Sequence, residues 1–130
     1  MRGFLLVAML SLGACARARP GTPEAAYLTF STALQRSDAR TAWSLLTQST
    51  KELVAAKSKA LSEASKGAVR DEPEVLLFAA GRAGAPVELK VVSADDTRAV
   101  LKVTGAGGER EVKLVKDSGR WLIDLSDQLK

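Results

Sequence analysis

No histidine occurs in the chain, so any acid–base chemistry falls to its carboxylates and to its one tyrosine, Tyr27. A carboxylate base needs burial to bring its pKa toward neutrality. Asp124 is the carboxylate best placed in a strand-like run, but alternation sets it on the face opposite Trp121 and Ile123. Asp38 stands just before a helical pattern, where an N-cap is expected. Tyr27 shares an apolar face with Phe30, the usual place of a core aromatic. Gly105, Gly107 and Gly108 have the composition of a phosphate loop, yet Glu109 and Arg110 lead into a strand where such a loop needs Lys, then Ser or Thr, and a helix. That stretch reads as a hairpin turn. The single Cys excludes an intrachain disulfide and the multi-cysteine zinc and iron–sulfur patterns, and no cofactor is expected.

What remains favours binding over catalysis. Trp43 and Trp121 can stack a sugar or an aromatic ligand, although aromatics on inward faces more often fill a core. Lys51, Lys59 and Lys66 fall within about 80° of one another around a helix, a stripe that is either a solvated face or a contact for anionic head groups or cell-wall polymers. Nineteen Lys and Arg stand against fifteen Asp and Glu, a net charge of +4 and a pI near 9.5. Acids are interleaved with the bases throughout, so the balance does not point to nucleic acid. A chain of 130 residues, 46% hydrophobic, fits one globular domain.

The elements that must position these residues begin after the N-terminal segment. Met1, Arg2 and Gly3 form a short positive stretch, and Phe4 to Leu12 is apolar except for Ser11. This is the layout of an export signal, and it is too short for the roughly 20 residues of a membrane-spanning helix. Leu12, Gly13, Ala14 and Cys15 then resemble the lipobox of bacterial lipoproteins: an aliphatic residue, two small residues and a cysteine. The resemblance implies that the Cys15 thiol receives diacylglycerol and that residues 1–14 are removed. Ala16 is not an aspartate, which by the same resemblance favours the outer membrane over the inner one. The alternative is conventional cleavage after Ala16, since Ala14, Cys15 and Ala16 also form a small-x-small site. A tether over 15–21 reaches at most roughly 25 Å, so a lipidated domain over 22–130 would sit close to its membrane.

Thr22, Pro23 and Glu24 are an N-cap, a first helical proline and a first-turn acid, predicting a helix to about Arg36 with Tyr27, Phe30 and Leu34 on one face. Asp38 is expected to cap a second helix through about Thr47, with Trp43 and Leu46 inward. Ser49 and Glu52 have capping-box spacing for a third helix, which Gly67 can end. Pro73 to Ala80 reads as a short fourth helix stopping before Gly81. After Pro86 the apolar period falls to two. Leu89 with Val91, Leu101 with Val103, Val112 with Leu114, and Trp121 with Ile123 and Leu125 mark four strands. Turn-forming residues separate them, so an antiparallel meander covered by the first helix is predicted.

Helices followed by a curled antiparallel sheet is the order of cystatin-like and NTF2-like α+β folds. Thr22 to Leu34, then Ser37 to Leu46 with Trp43, resemble the opening of small NTF2-like bacterial lipoprotein domains, and Val115 to Asp124 resembles their closing hairpin. The resemblance implies a cavity between helix and sheet, with Tyr27, Phe30, Trp43, Trp121 and Ile123 as candidate lining. It carries no catalytic residue across. The expectation is a lipid-anchored envelope protein with a binding or accessory role toward a small apolar ligand, a protein or an envelope polymer. The alternative is an isomerase- or dehydratase-type enzyme using a buried carboxylate.

Overall fold

The computed structural model describes residues 21–80 and 86–130. The export signal, the lipobox Leu12 to Cys15, the tether as far as residue 20, and Gly81 as a helix stop lie outside them. Four helices precede four strands: α1 (Pro23–Gln35), α2 (Ala39–Ser44), α3 (Gln48–Ala64), α4 (Pro73–Ala80), β1 (Glu88–Ala94), β2 (Arg98–Gly105), β3 (Gly108–Asp117) and β4 (Arg120–Asp124). The strands form one antiparallel sheet in the order β1-β2-β3-β4, so the architecture is α+β with the helices first.

Local chemistry accounts for most boundaries. Thr22 caps α1, its Oγ1 accepting from the Ala25 N–H at 3.2 Å, and Pro23 follows where a missing N–H costs nothing. Asp38 caps α2 through Thr41 N–H at 3.2 Å. The cap of α3 is Thr47 rather than the expected Ser49, with Thr47 Oγ1 accepting from Thr50 N–H. The reason is tertiary. Thr47 N–H donates to the Ile123 carbonyl at 3.0 Å, and Ile123 N–H donates to the Leu45 carbonyl at 2.7 Å. These bonds lay residues 45–47 along the β4 edge, end α2 at Ser44 and force the next helix to begin at once.

The C-terminus of α3 comes earlier than Gly67. The helix stops at Ala64, Lys66 takes φ +53°, and Gly67 N–H reaches back to the Ser62 carbonyl at 2.9 Å. This is the left-handed termination common at helix ends. Lys66 therefore leaves the helix, and the predicted stripe of three lysines is reduced to Lys51 and Lys59 on α3 itself. Between β3 and β4, Ser118 and Gly119 both have positive φ, as a two-residue hairpin turn requires.

The core lies between α1, α2 and the inward face of the sheet. Ala99, Leu101 and Val103 of β2, Val112 and Leu114 of β3, and Trp121 and Ile123 of β4 are all buried, in step with a period of two. Tyr27, Phe30 and Ala33 of α1 and Ala42 of α2 cover them, with Leu45 and Leu46. Each fully buried Leu or Ile contributes about 1.5–3 kcal/mol by leaving water. Strand β1 departs from the expected alternation. Its register shifts between Val91 and Ser93, and ahead of that shift Leu89 packs against the core while Val91, though paired with Leu101, is 40% exposed. A bulge of this kind turns an edge strand away from flat pairing.

Candidate functional site

The helices do not all close on the sheet. A cavity of about 670 Å³ lies under α3 and α4, within the roughly 300–1,000 Å³ of small-molecule sites. Tyr27, Phe30 and Leu34 of α1 form one wall, and Val112 of β3 the floor. Val54, Lys57, Ala60, Leu61 and Ala64 of α3 form the opposite wall, completed by Leu76 and Leu77 of α4. Leu125, Gln128 and Leu129, in the turns after β4, close one end, and Arg110 of β3 stands at the edge.

The space exists because α3 is a weak covering helix. Its buried face is Thr50, Val54 and Ser58, spaced four apart, and two of these are polar. Both hydroxyls are used as ties. Thr50 Oγ1 accepts from Leu125 N–H at 3.0 Å, shares a hydrogen bond with Thr47 Oγ1 at 2.8 Å and donates to Asp124 Oδ1 at 3.4 Å. Ser58 Oγ donates to Asp71 Oδ1 at 2.7 Å, fixing the segment that leads into α4. The helix is thus held at its start and middle by hydrogen bonds. Its small alanines along the next face leave the volume beneath unfilled.

The polar groups among the described lining residues are few, and the charged ones are of one sign. Arg110 Nη2 donates to the Tyr27 hydroxyl at 2.9 Å, aiming a guanidinium and a phenol at the same opening. Lys57 adds a second cation from α3. Gln128 is turned to the Glu111 carbonyl at 3.2 Å. None of the described lining residues is Asp or Glu. Asp124 lies off the cavity, its Oδ1 accepting from Ser126 N–H at 2.9 Å and Ser126 Oγ at 2.6 Å as well as from Thr50. Asp38 is spent as the α2 cap, where the Thr41 hydrogen bonds hold its carboxyl below the usual range.

Of the five aromatic and aliphatic residues expected at a cavity, Tyr27 and Phe30 line it, with ring centroids 6.3 Å apart. Trp121 and Ile123 are buried in the packed core, and Trp43 packs partly buried against that core. Lys116 Nζ lies 5.8 Å from the Trp121 ring. Lys51 and Lys59 are outside the lining, as is Lys66. The sequence reading missed Lys57, Arg110 and the residues after β4. For Arg110 a signal was present: it falls two residues before Val112 and four before Leu114, a cation at an inward position of its strand. Lys57 offered none, being one of several lysines in an alanine-rich helix.

Among the described residues no helix is long and apolar enough to cross a membrane. Comparison with known proteins finds no matching family model, and no curated protein or solved structure matches the chain.

Proposed function

We propose that this chain is an exported lipoprotein, anchored through diacylglycerol on Cys15 to the outer membrane and facing the periplasm, whose NTF2-like domain holds a small apolar ligand without transforming it. The observation that carries the ligand reading is the 670 Å³ cavity between helices and sheet, walled by Phe30, Leu34, Val54, Leu61 and Leu77. Helices placed first, α1 covering the sheet and a four-stranded antiparallel meander support the NTF2-like reading. The Leu12-Gly13-Ala14-Cys15 pattern behind an apolar run favours the anchor. With two or three acyl chains at about 0.8 kcal/mol per buried CH₂, attachment is effectively permanent.

The isomerase or dehydratase reading asks for a carboxylate facing the ligand. The lining among described residues holds none, and Asp124 is occupied with Thr50 and Ser126. The binding reading is therefore preferred.

The test pairs anchor and pocket. Cys15→Ser should move the product out of washed envelopes and remove the acyl mass from the mature chain; unchanged retention overturns the anchor. The neutral dye N-phenyl-1-naphthylamine should bind the full chain saturably at one site. Ala60→Trp and Ala64→Trp, which fill the wall of α3, should each weaken it at least tenfold. Equal binding by both variants overturns the pocket.

A further inference from the structure

The cavity is not evenly apolar, and the uneven part has one sign. Its walls are mostly hydrocarbon, while the charged side chains among the described lining residues are Lys57 and Arg110, and none of those lining residues is Asp or Glu. Neither cation forms an ion pair with a described acid: the described ion pairs engage Arg70, Lys102, Lys113 and Lys130 instead. Arg110 is held in place by its 2.9 Å hydrogen bond to the Tyr27 hydroxyl. That bond leaves the phenolic O–H free to donate, and the remaining guanidinium N–H groups keep their fork geometry. A planar guanidinium with an adjacent hydroxyl donor matches an oxyanion, which accepts from both at once.

We infer that the cavity takes a single-chain amphiphile with an anionic head, the alkyl chain lying among Phe30, Leu61 and Leu77 and the head held by Arg110, Tyr27 and Lys57. This rests on the ligand reading above and narrows it from apolar molecules in general to a fatty acid or an alkyl phosphate. Both share the required chemistry of a hydrocarbon tail and an oxygen-rich anion. Charge-assisted hydrogen bonds add to the burial of the tail, so affinity should depend on the head as well as on chain length. A cationic head of equal length would be repelled by the same two side chains.

Calorimetric titration of the full chain with decanoate, decyl phosphate, decanol and decyltrimethylammonium, all below micelle formation, tests this. Decanoate or decyl phosphate should bind at one site at least tenfold more tightly than decanol, with the cationic ligand weakest. The stronger of the two anions identifies the head group. Arg110→Gln and Lys57→Gln alter exposed side chains. Each should weaken anion binding about tenfold while leaving decanol unchanged, and Tyr27→Phe should show a smaller loss of the same kind. Decanol binding as tightly as the anions, or anion binding indifferent to both glutamine variants, overturns the inference and leaves the apolar-ligand reading standing. Failure of all four ligands overturns both.

Discussion

One sheet serves two regions that share side chains and differ in what covers them. Over β2 and β4, α1 and the 45–47 segment press directly on the strands, and Leu46, Leu101 and Ile123 are at most 1% exposed. Over β3 and the turns after β4, the cover is α3 with α4, and a cavity remains. Tyr27, Phe30, Leu77 and Val112 belong to both, buried on the core side and lining the hollow on the other. The difference lies in the covering helices. The helix that fills its space offers Tyr, Phe and Leu inward, while α3 buries Thr50, Val54 and Ser58 and turns Lys57, Ala60, Leu61 and Ala64 to the hollow. The packed core and the hollow thus differ in their covering side chains, and the ligand reading proposed above rests on the hollow alone.

The widest gap between the halves should appear on truncation. Ile123→Ala removes a fully buried side chain from the packed region and should cost about 2–5 kcal/mol in urea unfolding. Leu61→Ala, at 44% exposure on the cavity wall, should cost less than about 1 kcal/mol and act on ligand affinity instead. Equal losses at the two sites would mean that the hollow is closed in solution.

The next effect concerns the tie that holds α3 over the cavity. Thr50→Val keeps the shape but strands the partly buried Leu125 N–H and removes the bond to Asp124, so about 1–3 kcal/mol should be lost. Thr50→Ser, which retains the hydroxyl, should recover most of that in the same denaturation experiment. If valine is as stable as serine, α3 is held by packing alone.

The smallest effect is expected from pH, because the shifted carboxylates lie on the open surface. Backbone N–H donation from Thr97 and Arg98 lowers the Asp95 pKa, and hydrogen bonds from Lys113 and Lys130 lower that of Asp127. A depressed folded-state pKa means that the contribution is present above the ordinary aspartate value near 3.9 and is lost as pH falls through the lowered one. Carboxyl-detected NMR titration should therefore find both midpoints below the ordinary value. Asp127→Asn should flatten the stability profile slightly in acid, and normal midpoints would show that these hydrogen bonds do not persist in solution.

Much of the scaffold was legible in residue order. Thr22 and Asp38 cap the helices assigned to them, Pro73 opens α4, and Leu101, Val103, Val112, Leu114, Trp121 and Ile123 are buried as their alternation predicts, whereas Leu125 falls beyond the end of β4 and is only partly buried. Each of these depends on neighbours within a few positions, which is why local pattern carries it. The start of α3 did not follow, because Thr47 is chosen over Ser49 by hydrogen bonds to Ile123, far along the chain. Nor did the exposure of Val91, which keeps its pairing with Leu101 on the edge strand but lacks cover. Of the candidate site, Tyr27 and Phe30 were foreseen, whereas Trp43, Trp121 and Ile123 pack in or against the core of the same sheet.

Periodicity, caps and turns in the sequence determined that helices come first and a four-stranded meander follows, since those preferences act over a single turn or hairpin. Only tertiary structure decided where the space would be. A cavity is the difference between the volume its borders enclose and the side chains available to fill it, and that difference is set by how Thr50 and Ser58 fasten α3 to distant residues. The same folding brings Arg110 to Tyr27, 83 positions earlier in the chain, and so places charge at the opening.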